Sequence, residues 1–418
     1  MDTIQPVRGT SDLLPAEKAK HTFVIERARH GAGQFGYAEM STPIFEFTDV
    51  FSRPLGASSD VVAKETYSFE DRGGTGLTLR PEGTAAAMRA VISNGLTQSL
   101  PQRWFYAGPM FRYERPQKGR MRQFHQIGCE LIGPASALAD AEIIACGVHI
   151  LKSLGVLEHT SLHLNTLGDT QSRDAYRSAL VSYLERYRSA LSEDSQRRLD
   201  SNPLRILDSK SAGDKDILQE APRLNACLTP AAQAHFETVK QALEAASIAW
   251  VDDPFLVRGL DYYSHTAFEF ITDQLGAQGT VLGGGRYDGL SQTLGGPLLP
   301  AVGFAAGVER LALLVDAQIE PSPDLVLVAA EQSAEAQLFG LGCMVRDAGF
   351  SAVSLLSGNM GKKMKAANKL GAKFALIAGG DELSRECVSV RNMLDGTQTE
   401  IEISALTSWL ARCLAQQD

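Results

Sequence analysis

The sequence predicts an α+β chain in three parts. These are a sheet-containing domain over 1–320, a helical insertion inside it at about 170–235, and a separate α/β domain over 321–418. Three patterns predict this organisation. Apolar residues alternate on both sides of a basic turn within 104–132, helical spacing dominates the insertion, and strands alternate with helices after a proline-containing linker.

The composition is that of an ordinary globular protein, with 44% hydrophobic and 21% charged residues in a chain of 418. No apolar run approaches the ~18 residues that span a bilayer, and the N-terminal residues lack the pattern of a secretory signal. The six cysteines are scattered without a CxxC pair, so we expect neither a disulfide framework nor a structural zinc site, and the cytosol is favoured. The net charge of −9 argues against indiscriminate nucleic-acid binding but leaves room for a local basic site.

Helices and strands are predicted on both sides of the turn-containing segment. Before it, a helical pattern covers 21–37, and 40–47 predicts a strand that carries Pro43. Residues 77–80 predict another strand, followed by a Pro-Glu-Gly-Thr turn and an alanine-rich helix that ends near 92.

After the turn-containing segment, a helix is predicted over 136–154. The helical insertion is interrupted at 202–210, and strand-like, glycine-punctuated sequence returns over 255–289. A further helix is predicted to start near Gly303 and to run through Leu314. In the C-terminal domain, the predicted helices alternate with strands and cover 332–348, 360–371 and 404–416.

The segment 104–132 predicts a β-hairpin with a basic turn. Between Arg103 and Arg122 it holds six basic residues and one acid. A positive turn of this kind suits a polyphosphate or the end of a nucleic acid. An edge hairpin with a solvated charged tip is the alternative interpretation.

Period-2 geometry places Phe124, Gln126, Gly128 and Glu130 on one face of the second predicted hairpin strand. Phe124 can stack on a flat ring, and the two polar side chains face the same way. We expect Gly128 to leave open space between them, because a packed core would fill that space. This face is therefore predicted to be the floor of a ligand site.

Three further segments carry candidate binding residues: LVRGLDYY at 256–263, GGGRYDGL at 283–290 and GFAAGVERL at 303–311. The first places Arg258 in an apolar strand beside two tyrosines, whose hydroxyls can bind a polar ligand. The second has three glycines that let a backbone approach a ligand closely. Taken singly, the three segments also fit an edge salt bridge, a plain loop and a core helix.

In this order the segments resemble the histidyl-tRNA synthetase family of class II aminoacyl-tRNA synthetases. The resemblance extends over essentially the whole chain and includes FRYERPQKGR at 111–120. Four shorter motifs belong to it as well: RGTSDLLP at 8–15, LRPEGT at 79–84, LNTLGD at 164–169 and NPLRILDSK at 202–210.

The resemblance implies a class II catalytic domain, in which helices flank an antiparallel sheet, and a C-terminal anticodon-binding domain. The implied reaction is activation of L-histidine by ATP to histidyl-adenylate, followed by transfer to the 3′ end of tRNA(His). Pro43 would lie in the dimer-forming motif, so a homodimer is implied. Mg²⁺ bridging the ATP phosphates is expected to take most of its ligands from phosphate and water, and no residue is assigned as a metal ligand.

The resemblance also implies roles for individual residues. Neutralising charge at the α-phosphate would fall to Arg112 and Arg258, because a guanidinium binds phosphate oxygens bidentately. Histidine would be bound by Glu82, Gly83, Thr84, Arg112, Gln126, Glu130, Arg258, Tyr262 and Tyr263. ATP would be bound by Arg112, Glu114, Arg120, Phe124 and Arg310. The tRNA acceptor end would meet Arg115 and Gln117 at the hairpin tip.

Alternatives remain at two levels. The regulatory subunit of ATP phosphoribosyltransferase shares the catalytic fold without catalysis, but it typically lacks the anticodon-binding domain and has eroded motifs. A class II synthetase for threonine or proline is a further alternative.

In the C-terminal domain, Lys362, Lys365 and Lys369 form a basic helix face that suits an anticodon stem, although a solvated surface helix fits equally. Arg391 stands where the family pattern leads us to expect lysine.

Overall fold

The computed structural model describes residues 3–55, 65–117, 119–257, 262–276, 279–316 and 322–415. The chain divides into two compact units, Met1–Ile319 and Glu320–Asp418. Among the described helices, none has both the length and the apolarity that a membrane span needs.

The first unit combines two sheets with helices. In chain order its strands are β1 (Ala38–Glu39), β2 (Phe45–Phe47), β3 (Tyr67–Glu70), β4 (Gly76–Leu79), β5 (Gln102–Phe111), β6 (Gln123–Ile132), β7 (Ser161–Thr166), β8 (Val251–Asp252), β9 (Ser264–Ile271), β10 (Thr280–Arg286) and β11 (Ala301–Gly307). Its α-helices are α1 (Pro15–Gln34), α2 (Asp49–Leu55), α3 (Thr84–Ser93), α4 (Ala137–Ser153), α5 (Thr170–Leu184), α6 (Glu193–Ser201), α7 (Ala212–Gln219), α8 (Pro230–Ala245), α9 (Leu290–Thr293) and α10 (Val308–Leu314).

The described residues form a main sheet of eight strands in the order β1-β5-β6-β11-β10-β9-β7-β8. All neighbours are antiparallel except the two edge pairs, β1 with β5 and β7 with β8. The predicted antiparallel sheet is confirmed, and the predicted hairpin is its β5–β6 pair. In that pair Gly108 lies opposite Gln126, and Tyr106 lies opposite Gly128.

The two faces of β6 carry different kinds of side chain. Ile127, Cys129 and Leu131 are buried in the main hydrophobic core together with residues of α1, α4 and α10. Each fully buried aliphatic side chain of this kind contributes roughly 1.5–3 kcal/mol. Because side chains alternate along a strand, this packing fixes Gln126 and Glu130 on the opposite face.

The predicted single strand over 40–47 is wrong. Only Phe45–Phe47 pairs as a strand in this segment, and the residues around Pro43 belong to no ladder. Proline has no N–H group to donate, so it seldom lies inside a paired strand.

The predicted helix from Gly303 through Leu314 is wrong in its first half. Ala301–Gly307 forms β11 between β6 and β10, and α10 begins at Val308. A run of glycine and alanine carries no periodicity that separates a strand from a helix. The strand brings Gly303 against the carboxylate of Glu130, and a Cβ at this position would overlap that carboxylate.

The smaller sheet of this unit has the order β2-β4-β3. Its register places Phe47, Leu77 and Phe69 in one row across the three strands. Phe45, Phe47 and Phe69 are 52%, 63% and 46% exposed, whereas Glu46 on the other face is buried. We call the surface formed by Phe45, Phe47 and Phe69 the apolar sheet face.

Helices α5–α7 have a core of their own, formed by residues such as Tyr176, Leu180, Leu199 and Leu218. In contrast, α8 belongs to the main core, where Phe236 and its neighbours lie with residues of α4. Helices α5–α8 thus contribute to two separate cores.

A buried carboxylate joins the parts of the insertion. Asp214 of α7 accepts hydrogen bonds from the hydroxyls of Ser192, Ser195 and Ser209 at 2.7, 2.6 and 2.6 Å. Burial alone would raise the pKa of Asp214, but these hydrogen bonds outweigh burial and lower the pKa to about 2. The carboxylate therefore connects α7 with the start of α6 and with the segment that follows it.

The second unit is an α/β domain, as predicted. Its strands are β12 (Leu325–Ala329), β13 (Ala352–Ser354), β14 (Phe374–Ala378), β15 (Cys387–Asn392) and β16 (Gln398–Glu402), in the sheet order β13-β12-β14-β15-β16. Its helices are α11 (Glu335–Asp347), α12 (Met360–Lys369), α13 (Gly380–Ser384) and α14 (Leu406–Leu414). On α12 the three lysines of the predicted basic face are exposed, whereas Lys363 is buried and donates to the carbonyl oxygen of Ala329 at 3.1 Å.

Candidate active site

A cavity of about 190 Å³ lies between the hairpin, β10, β11 and the starts of α3 and α10. Of the residues predicted for the site, those that line it are Glu82, Thr84, Arg112, Glu114, Arg120, Phe124, Gln126, Tyr262, Tyr263 and Arg310. Gly83 lies in the turn between the first two of these, and Glu130 is buried next to Thr84. The fold thus brings ten predicted residues, distant in sequence, around one cavity.

Glu82 is fixed by the start of α3. Its carboxylate accepts the backbone N–H groups of Thr84 and Ala85 at 2.5 and 2.9 Å, and thereby caps the helix. Burial raises the pKa of Glu82, and the two N–H groups offset only part of that effect. A buried carboxylate held in this way has lone pairs left for a cationic ligand.

Glu130 is held by three hydroxyl groups. Its Oε1 accepts from Thr84 Oγ1 at 2.7 Å and from the Tyr106 hydroxyl at 3.3 Å, and its Oε2 accepts from Tyr287. Burial raises the pKa of Glu130 to about 8, although all three hydroxyls favour the ionised form. The protonated form of Glu130 is therefore favoured at neutral pH, and the group ionises around pH 8.

The expected open space at Gly128 is occupied, so that expectation is wrong. The ring of Tyr106 from β5 lies there, and a Cβ on either Gly128 or Gly83 would overlap it. Gly108 has a similar role, because a Cβ there would collide with the guanidinium of Arg80. These glycines make room for large polar side chains of the protein itself.

Apart from Glu114 Oε2, which forms an ion pair with Arg120, two polar atoms in the cavity wall are buried and have no hydrogen-bond partner among the described residues. They are Oε1 of Gln126 and the hydroxyl of Tyr262. An unpaired buried polar group costs roughly 1–3 kcal/mol. Their presence at a cavity points to a ligand that supplies the missing partners.

Three arginines crowd the other end of the cavity. Burial lowers the pKa of Arg310, the nearby charges of Arg120 and Arg112 lower it further, and Glu114 offsets only part of this. The Nη1 of Arg310 donates to the carbonyl oxygen of Thr280. Mutual repulsion of this kind is relieved when a polyanion binds.

Arg112 is positioned by its neighbours. Its Nε donates to the carbonyl oxygen of Pro81 at 2.8 Å, and its guanidinium carbon lies 5.3 Å from the ring centroid of Phe124. Glu114 forms an ion pair with Arg120 at 2.9 Å. Phe124 is thus both part of the cavity wall and a support for the Arg112 charge.

Two of the described residues predicted for the site do not line the cavity. Arg115 and Gln117 lie at the exposed hairpin tip, where Gln117 forms a bridge with Arg120. Arg258, predicted to be catalytic and to bind histidine, lies outside the described residues.

Sequence reasoning missed Tyr106 and Tyr287, which both bind Glu130. Tyr106 could have been found, because it lies two residues before Gly108 and shares its strand face. Tyr287 follows Arg286, whose Nε donates to the buried Asp140 at 2.9 Å. That ion pair joins distant parts of the chain, and no local pattern predicts it.

Comparison with known proteins identifies the family. Residues 9–311 match the family model described as "Histidyl-tRNA synthetase". The chain belongs to the histidyl-tRNA synthetase family. Residues 325–412 match the model described as "Anticodon binding domain".

Individual family members match over almost their whole lengths. The histidine–tRNA ligase of Gluconacetobacter diazotrophicus is 54% identical over 412 residues, covering 98% of this chain and 99% of the relative. The histidine–tRNA ligase of Rhodospirillum rubrum is 54% identical over 415 residues, covering 99% of this chain and 100% of the relative. Among solved structures, apo histidyl-tRNA synthetase of S. aureus has a TM-score of 0.82 at 36% identity and covers 98% of this chain and 100% of that one. The predicted class II fold with an anticodon-binding domain is thereby confirmed.

Proposed function

We propose that this chain is a histidine–tRNA ligase, which activates L-histidine with ATP to histidyl-adenylate and transfers the histidyl group to the 3′ end of tRNA(His). Family membership and the near-complete coverage of ligase relatives support the reaction. The observation that carries the proposal for this site is the polarity of one cavity. Arginines crowd one end of it, and a carboxylate, an unpaired amide oxygen and tyrosines lie in the rest of its wall.

The carboxylate part of the cavity suits the amino acid. Glu82, Thr84 and Gln126 would bind the α-ammonium group, which supplies the N–H donors that the unpaired Gln126 Oε1 lacks. Glu130 and Tyr263 would bind the two imidazole nitrogens, with Tyr262 nearby. A site that pairs both nitrogens rejects analogues without them, because its own buried groups would stay unpaired.

The arginine end suits ATP. Arg112 would neutralise the α-phosphate together with Arg258, Arg310 would bind the γ-phosphate, and Phe124 would stack on adenine with Arg120 assisting. Mg²⁺ would arrive as part of the ATP complex. Of the cavity carboxylates, Glu114 already forms an ion pair with Arg120 and Glu82 would bind the α-ammonium group, which supports coordination of Mg²⁺ mainly by phosphate and water.

Recognition of tRNA would use two separate surfaces. Arg115 and Gln117 are exposed at the hairpin tip, where they would meet the acceptor end. Lys362, Lys365 and Lys369 are exposed on α12 of the anticodon-binding domain, where they would meet phosphates of the anticodon stem.

A homodimer would cover the apolar sheet face of Phe45, Phe47 and Phe69. Three exposed phenylalanines on one small sheet are unusual for a free surface, and a second copy offers the same surface in return. The variant Phe47→Lys should shift the sedimentation coefficient toward that of a monomer. Leu356→Lys changes a side chain that is 84% exposed in the other unit and should leave the dimer intact. An unchanged dimer in Phe47→Lys would exclude this interface.

The cytosol is the proposed compartment. The six cysteines, all of which the structure describes, are free, which fits a reducing compartment.

The alternative function, a non-catalytic regulatory subunit, is disfavoured by the matched anticodon-binding domain and by the three arginines in the cavity. Attachment of radiolabelled histidine to total bacterial tRNA tests the full reaction. Acid-precipitable label that requires ATP supports a ligase, whereas its absence in folded protein would contradict one.

A further inference from the structure

A cluster of three metal-ligating side chains lies next to the ATP end of the cavity. His21 comes from α1, His125 from β6 and Glu309 from the first turn of α10. One donor atom from each lies within 4.8 Å of the other two. These residues are far apart in sequence, so only the fold brings them together.

His21 has an unsatisfied nitrogen. Its side chain is buried, with the residue only 6% exposed, and its Nδ1 has no hydrogen-bond partner among the described residues. Its ring lies edge to face against that of His125, with 5.6 Å between the centroids.

The other two side chains already have the spacing of neighbouring ligands. His125 Nδ1 and Glu309 Oε1 are 3.0 Å apart. Metal–ligand bonds near 2.0–2.1 Å put adjacent donors of a tetrahedral site roughly 3.4 Å apart. A cation can therefore take the place of the hydrogen bond between these two atoms, and a donor atom of His21 lies within 4.8 Å of both.

We propose that His21, His125 and Glu309 form a binding site for a zinc-class divalent cation, separate from the Mg²⁺ that accompanies ATP. Two imidazoles with one carboxylate suit Zn²⁺ or Co²⁺, whereas Mg²⁺ prefers an all-oxygen octahedron. Lys18, one turn earlier on α1, opposes cation binding, but it is exposed and its charge is screened by solvent.

The site has a direct connection to the ATP cavity. Glu309 lines that cavity, and the next residue along α10 is Arg310. A bound cation would connect α1, β6 and α10 and would restrain the turn that carries Arg310. Occupancy should therefore raise the thermal midpoint of the full chain in addition to changing the metal's spectrum.

Co²⁺ titration of tag-free, chelator-treated full-length protein tests the proposal. We expect one equivalent of Co²⁺ to bind with the strong visible absorption of a four- or five-coordinate site. The variant His21→Gln should weaken this binding by tenfold or more. His30→Gln, which changes an exposed histidine on the same helix, is the matched control and should bind like the wild type.

Two results would overturn the site. The first is stoichiometric Co²⁺ binding by His21→Gln with wild-type affinity and spectrum, and the second is the absence of stoichiometric binding in the wild type. If His21→Gln does not fold, X-ray absorption of the zinc-loaded wild type decides. Two imidazole ligands and one carboxylate support the site, whereas a shell of oxygen ligands alone refutes it.

Discussion

Thr84 Oγ1 donates a hydrogen bond of 2.7 Å to Glu130 Oε1 and so joins the first residue of α3 to the C-terminal part of β6. Two further hydroxyls donate to the same carboxylate: that of Tyr106 in β5 and that of Tyr287, directly after β10. The proposed imidazole-binding group is therefore positioned by three parts of the fold at once. Its protonation state is set by the competition between these donors and burial.

The first prediction concerns the pH dependence of stability. The pKa of Glu130 is about 8 in the fold against an ordinary value of 4.5. Since the folded value is raised, the stability that comes with the protonated carboxyl is fully present below about 4.5 and is lost as pH rises through 8. The thermal midpoint of Glu130→Gln minus that of the wild type should therefore increase as the pH is raised from 5 to 8.5. A gap between the two midpoints that stays constant with pH would contradict the assignment.

The second prediction concerns the space at Gly128. Gly128→Ala places a methyl group where the Tyr106 ring lies, so the ring must move away from Glu130. Overpacking of this kind costs roughly 1–3 kcal/mol, and KM for histidine should rise. Gly33→Ala is the control, because its Cβ would meet nothing within 4 Å and alanine favours the helix by up to about 1 kcal/mol. Equal stability and kinetics in the two variants would show that Tyr106 does not depend on Gly128.

The third prediction concerns the arginine end. Arg310→Gln removes one of the three arginine charges that line the cavity, so KM for ATP should rise by roughly 10- to 100-fold, as expected for a lost charged hydrogen bond. KM for histidine should change little. Arg188→Gln, which alters an arginine paired with Glu185 and Asp200 in the insertion, should leave both constants unchanged. A normal KM for ATP in Arg310→Gln would remove this residue from the site.

The fourth prediction concerns the insertion. Asp214→Asn leaves buried serine hydroxyls facing an amide and should destabilise the insertion by roughly 1–3 kcal/mol. Because the pKa of Asp214 is lowered to about 2, the carboxylate's contribution is present above 3.8 and is lost as pH falls toward 2. Limited proteolysis within 185–215 should therefore accelerate in Asp214→Asn. Asp216→Asn, which changes an exposed residue of the same helix, is the control and should be cleaved as slowly as the wild type. Equal cleavage rates of the two variants would argue against the network.

The face of β6 was predictable because a hairpin strand places alternate residues on one side. Phe124, Gln126 and Glu130 do share that face, and the first two line the cavity. What fills the space at Gly128 could not be predicted from the strand alone, because it depends on the register with β5. That register brings Tyr106 opposite the glycine.

The C-terminal domain was predictable from its alternation of apolar strands and helices, and the structure has strands and helices in that order. The run from Gly303 through Gly307 was not predictable, since small residues fit a strand and a helix equally. Its conformation is decided by pairing with β6 and β10, which lie far away in sequence. The Asp140–Arg286 ion pair could not be predicted from the local sequence pattern either, because its two residues also lie far apart in the chain.

The most direct test of the central claim is amino-acid-dependent exchange of pyrophosphate into ATP by the purified full-length protein. It reports adenylate formation in the cavity without requiring tRNA. The account predicts exchange with L-histidine, and none above background with the other protein amino acids, threonine and proline included. Exchange with another amino acid but not with histidine would contradict it.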